Sequence, residues 1–331
     1  MANIQPFNFS VHCAQAWRET LKSLDKEQLQ HPMFVVMKGL MDALISAPKF
    51  QLNDGGRPID DFASISRLFA SLHLPFPCIA LEYRCHGELG ENQVLATKRI
   101  SLVWDIRNGI PEFLKNLGGM DPKGRESLLV QSICYTETGD MWAFVPGMIE
   151  ICMDEEVFEA KTEDLSPEYL ELLKHKKIVK NMEKTGRVNT FPIRPYVLID
   201  DLSHQYGIEK AIAIVQADSA DEVIAAISFA AVSSCANVSK TTIEAPAALN
   251  KKRIGNGKLP FDKVHVLMVE GGAFVSKESG WNANGTHASP KTHLRRGHIR
   301  QLESKVVWVN SAVVNAGRSD VSAPVYKVSK T

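Results

Sequence analysis

The chain of 331 residues carries 38 Lys and Arg against 38 Asp and Glu, so its formal charge is zero. At 44% hydrophobic and 23% charged, with 21 Gly and 16 Pro, its composition is that of a soluble globular chain and excludes a disordered, collagen-like or coiled-coil rod. That length builds one large or two ordinary domains around a sizeable core.

In chain order, Ser10 is placed to cap a first helix, in which Val11, Ala14, Trp17, Leu21 and Leu24 recur at helical spacing. Pro32 fits the first turn of a second helix carrying Phe34, Met37, Leu40, Met41 and Leu44. Beyond the Asn53-Asp54-Gly55-Gly56 loop, Ile59, Phe62, Ile65, Leu68, Phe69 and Leu72 predict a third amphipathic helix. Pro75 and Pro77 end it, because each removes a backbone donor and disfavours helix before it. Residues 78–83, 100–106, 128–135 and 141–145 are short β-rich runs, the last two joined by a hairpin loop from Thr136 to Asp140. Ser166-Pro167-Glu168 opens a helix that continues to Lys184. Ser219, Asp221 and Glu222 open another, 223–236, apolar nearly all round and so expected at the centre of the core. Residues 251–258 read as a basic loop and 264–269 as a strand; 292–302 and 306–314 form a β-hairpin turning at Glu303-Ser304-Lys305. Helices, then strands, then helices and strands again, without internal repeats, predict an α+β fold with a mixed or antiparallel sheet, a buried central helix and a basic C-terminal hairpin.

The zero charge is a sum of opposites. From Lys251 to Thr331 there are 14 Lys and Arg against 5 Asp and Glu, a net of +9, which leaves −9 on residues 1–250. The chain therefore divides into an acidic α+β body, 1–249, and a basic C-terminal module, 250–331, packed on the body. Charge balance is compatible both with docking of the two halves on each other and with a basic face turned to an outside partner.

Six cysteines, at 13, 78, 85, 134, 152 and 235, form no C-x-x-C pair and are expected as reduced thiols in a cytoplasm, that of a bacterial host cell. The N-terminus lacks the basic and apolar regions of a signal peptide, and the most apolar segment, 223–232, is too short for a membrane span, so no membrane partner is expected.

Motifs for catalysis fail on their own chemistry. Gly255-Asn256-Gly257-Lys258 suggests a phosphate-binding loop, but the required upstream Gly and following hydroxyl are replaced by Lys252 and Leu259. No nucleophile elbow, zinc-protease helix or dinucleotide fingerprint occurs. Glu82-Tyr83-Arg84 after a strand, with Asp60 or Asp61, is a weak metal-nuclease constellation in which Arg stands for the usual Lys. His287, His293 and His298 are too poorly phased to converge on a metal and have no nearby Cys, so neither metal nor cofactor is expected.

The informative cluster is Thr292-His293-Leu294-Arg295-Arg296-Gly297-His298-Ile299-Arg300. In an extended strand Arg296, His298 and Arg300 share one face, and His293 with Arg295 the other. Such cations need acids, phosphate or water, and Arg suits planar capture of carboxylate or phosphate. Lys251, Lys252, Arg253 and Lys258 add a second basic segment, and Trp308 on the return strand is either a core residue or a platform for stacking.

His293-Leu294-Arg295-Arg296-Gly297-His298, followed by Trp308 and Val314-Asn315-Ala316-Gly317-Arg318, resembles the C-terminal signature of a phage and plasmid family of type V-A anti-CRISPR proteins that suppress biosynthesis of the RNA-guided effector nuclease. Asn250-Lys251-Lys252 and Ile65-Ser66-Arg67-Leu68 match in the same order; Thr292 and Ile299 depart from the Pro and the aromatic residue frequent at those places. The resemblance implies a non-enzymatic inhibitor that engages a nascent polypeptide of the nuclease and causes loss of its messenger RNA, with the ribosome or that messenger as a further partner. A nascent peptide needs a groove between body and basic module or an exposed strand edge. Two other readings stand beside it: an RNA- or DNA-binding protein of a phage or plasmid using the two basic segments, and a divergent metal-dependent nuclease built on Glu82.

Overall fold

The strands of this chain alternate apolar residues between two covered faces. The computed structural model describes residues 5–56, 65–85, 96–115, 126–161, 163, 187–269, 293–295, 298–309 and 312–314. In chain order its helices are α1 (Phe9–Ser23), α2 (Pro32–Ser46), the single turn α3 (Glu112–Lys115), α4 (Asp200–Tyr206), α5 (Ile208–Ser233) and α6 (Ala247–Gly255). The strands are β1 (Lys49–Gln51), β2 (Cys78–Arg84), β3 (Ala96–Asp105), β4 (Ser127–Thr136), β5 (Met141–Phe144), β6 (Gly147–Cys152), β7 (Phe158–Lys161), β8 (Arg187–Thr190), β9 (Ile193–Val197), β10 (Val238–Ile243), β11 (Val264–Val269), β12 (His293–Arg295), β13 (His298–Gln301), β14 (Val306–Val309) and β15 (Ala312–Val314).

Nine of these strands make one mixed sheet in the order β10-β11-β1-β2-β3-β4-β6-β9, with β5 added on β4. β11, β1 and β2 run parallel to one another, and every other pairing is antiparallel. The α+β expectation holds, with the mixed alternative for the sheet. β7 and β8 form a separate antiparallel ladder.

Successive residues point to opposite faces of the sheet. Ile79, Leu81 and Tyr83 of β2, Val103 of β3, Leu128 and Val130 of β4 and Ile149 and Ile151 of β6 join one core with α5. Ala80, Ile100, Leu102, Trp104, Leu129, Ile133 and Met148 join the other, with Trp17 of α1 and Val36, Leu40 and Leu44 of α2. Both faces are thus dry, which is why β2 is buried at five successive positions from Ile79 to Tyr83. The α5 side is closed further by Ile65, Leu68, Phe69, Leu72 and Leu74 and by Ile299 of the hairpin, all in the same core. Every residue from Asp221 to Val232 is buried. An all-round apolar helix fits this place, wrapped by sheet and overlying segments, and each large apolar side chain buried there contributes roughly 1.5–3 kcal/mol.

Several local expectations are corrected. The first helix begins at Phe9, with Asn8 at the N-cap in the left-handed region (φ 57°) and no capping bond from its side chain. Ser10 lies inside the first turn. The carboxylate of Glu82 takes the cap's role from β2, accepting from the backbone N–H of Phe9 at 3.0 Å and of Ser10 at 2.8 Å. Pro32 does open α2, after His31, whose ring accepts from Met33 N–H. The central helix begins at Ile208, well before the predicted start. Residues 251–255 belong to α6, where a loop was expected. The helix closes with Gly257 at φ 69° while Lys258 N–H donates to Arg253 O and Gly257 N–H to Ile254 O, a Schellman arrangement that uses the glycine as a stop signal. Residues 57–64 of the third predicted helix and the whole predicted helix 166–184 lie outside the described residues.

The boundary drawn at 249/250 runs through the sheet. β11 belongs to the basic quarter in sequence, yet it lies between β10 and β1. The C-terminal hairpin is antiparallel with a single register, His293 opposite Val314 and His298 opposite Val309, and it turns where Leu302 N–H donates to Lys305 O.

Candidate functional site

The two basic segments are not brought together. α6 and the loop after it belong to the α1 side of the sheet: Gly257 O accepts from Arg18 at 2.6 Å, Leu259 N–H donates to Gln15 Oε1 at 2.8 Å, and Leu259 packs on the α1/α2 core. The hairpin belongs to the opposite side. Ile299 is buried in the α5 core, and Trp308 and Val306 pack against it. Main-chain bonds fix it to the end of α5: Ala236 N–H donates to Val306 O, and the Asn237 side chain bonds both Trp308 N–H (2.7 Å) and Trp308 O (2.9 Å).

Cross-strand partners share a face, so Ile299 and its partner Trp308 both point inward. Trp308 is accordingly a core-facing residue of the hairpin, not an outward platform. His298 and Arg300, with their partners Val309 and Val307, occupy the outward face. Arg300 is exposed and His298 half-buried. His293 and Arg295 stand in β12 opposite Val314 and Ala312; Arg296 lies outside the described residues.

On the α1 side, Lys251, Lys252 and Lys258 are exposed, whereas Arg253 is half-buried and part of the scaffold. Its Nε donates to Leu259 O at 2.8 Å and its guanidinium lies 3.7 Å from the centre of the Phe261 ring. The ring of Phe261 also stacks on His12, centroids 5.5 Å apart and planes 13° apart. Asn250 clamps the backbone of Phe261 with two bonds, 2.8 and 2.9 Å. Burial, followed by the charges of Arg253, Lys98 and Lys258, pushes the His12 imidazole below its ordinary value. His12, stacked on Phe261, and Arg18, bonded to Gly257 O, therefore join the segment for which the sequence offered only Lys251, Lys252, Arg253 and Lys258. No local signal marks them, since Gln15 and Leu259, which join these segments, lie 244 positions apart.

A second polar group is structural. Arg99 Nε meets Glu222 Oε1 at 2.6 Å, Tyr83 OH donates to the same oxygen at 2.9 Å, and Ser101 Oγ donates to Glu222 O at 3.0 Å. Burial alone would lower the Arg99 pKa, but Glu222, Tyr83 and Asp221 outweigh it and hold it well above the usual value. This network locks β2 and β3 to α5, with Glu222 and Tyr83 fully buried and Arg99 half-buried at its rim.

Glu82, the proposed nuclease carboxylate, is fully buried. Burial raises its pKa, and the first-turn N–H groups of α1 oppose the rise. Both oxygens cap α1, so neither is presented to a metal; Asp60 and Asp61 lie outside the described residues. Among the described residues no three His, Cys, Asp or Glu side chains gather where they could hold a metal ion, and no helix is long and apolar enough to cross a membrane. All six cysteines are free thiols. No protein-family model, curated protein or solved structure matches the chain.

Proposed function

We propose that the chain is an inhibitor from a mobile element, acting in the bacterial cytoplasm, that binds an extended nascent peptide of a type V-A RNA-guided nuclease and lowers its synthesis, the messenger being removed by host nucleases. The sequence support is the resemblance carried by His293–His298 and Trp308. The observation that carries the reading is the edge strand β10. Among the described residues it pairs on one side only, with β11, and Lys240, Thr241 and Thr242 are exposed along it. An open edge offers a row of backbone donors and acceptors to an added peptide strand, a common mode of sequence-tolerant peptide capture. The hairpin that bears His298 and Arg300 is bonded to Ala236 and Asn237, at the start of this edge, where Arg300 meets acidic side chains of a peptide laid along β10.

The test is affinity capture of the chain from cells translating the nuclease. Ribosomes and one enriched nascent protein are expected together; recovery of neither overturns the reading. Lys240→Pro and Thr241→Pro remove adjacent N–H groups of β10, one of which points outward. The variant that melts like the parent is expected to lose capture, and full capture by both stably folded variants counts against the edge. Decay of the transcript with purified chain alone overturns the assignment of that step to host nucleases.

A further inference from the structure

The patch on the α1 side lies across the sheet from the hairpin, and the peptide reading does not use it. Its parts are held rigidly. Arg18, Gln15, Asn250 and Arg253 all bond the loop from Gly257 to Phe261, so Lys258 and the Phe261 ring are fixed relative to α1 and α6. Lys251 and Lys252 stand between Asn250 and Arg253 in the same helix, on the side turned away from the loop, and both are exposed. His12 is exposed as well and stacks on Phe261. The charges that act on His12 are all cationic, from Arg253, Lys98 and Lys258. The nearby carboxylate of Asp262 is engaged by the buried Lys49 at 2.5 Å, which takes it out of the balance.

Exposed cations on one helix and its loop, with an exposed planar ring on the neighbouring helix, match single-stranded nucleic acid, whose phosphates repeat along a chain that also offers flat bases for stacking. An acidic peptide supplies the charge but no planes, and a duplex keeps its bases stacked internally. Leu249 and Ile254 are the exposed large apolar residues of α6, too few to bury into a bilayer. We propose that the surface made by His12, Lys258 and the exposed lysines of α6, Lys251 and Lys252, binds single-stranded nucleic acid, with the lysines on phosphates and a base stacked on the His12 imidazole.

Fluorescence anisotropy of the full chain with labelled oligouridylate and oligothymidylate of roughly twelve nucleotides tests this, across a salt series. Binding to at least one strand is expected, and the stronger of the two identifies RNA or DNA as the source. The variant K251E/K252E/K258E changes only exposed lysines; it is expected to lose at least about tenfold in affinity near 0.1 M salt and to flatten the slope of log K against log salt by about 2, from about 0.7 per phosphate. His12→Ala is expected to lose about tenfold with the slope unchanged, because stacking releases no counterions. The proposal is overturned by absence of binding to both strands, or by parent-like affinity in the triple variant. Equally tight binding to a duplex, to polyglutamate or to phosphatidylserine vesicles also overturns it, since each would mean attraction to charge alone. Circular dichroism melting of each variant separates lost binding from lost fold. Capture of a nascent peptide is a separate readout, so either proposal fails without the other.

Discussion

Arg99, Tyr83 and Glu222 show how single residues join distant parts of this chain. The carboxylate of Glu222 receives the guanidinium of Arg99 and the hydroxyl of Tyr83, and burial followed by the charge of Glu222 raises the Tyr83 pKa well above its ordinary value. Removing one partner of such a buried pair strands the other, whereas replacing both by apolar side chains removes the desolvation cost along with the attraction. Glu222→Ala is therefore expected to destabilise the chain by about 3–5 kcal/mol, and Arg99→Met combined with Glu222→Leu to recover most of that loss. Urea unfolding midpoints at constant slope measure both; a double variant as unstable as the single one would show that the pair itself, and not the stranded charge, is what matters. Glu82 illustrates the same point differently, because a carboxylate after a strand resembles a metal ligand in sequence and is a helix cap in space.

Among the elements, α5 is closely approached by the start of β6. At Gly147, where β6 begins, an added Cβ would fall 2.5 Å from Val215 of α5 and 2.6 Å from the carbonyl oxygen of Tyr196. The side chain can shift but the neighbouring strand's backbone resists, so Gly147→Ala is expected to cost about 1–3 kcal/mol, read as a lowered thermal midpoint. An unchanged midpoint would mean that β6 and β9 slide apart freely. The pattern of α5 was legible because an apolar helix has one stable place, the middle of a core. Its start was not, since Ile212, Ala213 and Ile214 before Ser219 sit half-buried or exposed and carry a weaker signal. α6 was hidden by Gly255 and Gly257, which suggest a loop by composition and act as a helix stop in the structure.

For the whole molecule, charge divides the chain at 250 and the sheet does not. β11 pairs with β10 on one side and with β1 on the other, so a chain ending at 249 lacks an inner strand. Such a truncated chain is expected to give no native near-ultraviolet dichroism and no cooperative unfolding; a cooperative transition for residues 1–249 would show that the acidic part folds alone. The same architecture separates the two basic segments. Ile299 enters the α5 core and Leu259 packs on the α1/α2 core, which places the hairpin and α6 on opposite sides of the sheet.

By itself the sequence determined what depends on near neighbours. The period of α2, the strands around Cys78–Arg84 and Val264–Val269, the turn between Thr136 and Asp140 and the two arms of the terminal hairpin all follow from spacing, capping and turn chemistry within a few residues. Tertiary contacts alone make Glu82 the cap of α1, bring β11 into the sheet parallel to β1, and stack His12 on Phe261 in the loop after α6. Those contacts close chain separations of tens to hundreds of residues. Their free energy comes from burial and field at a meeting place that no local period records.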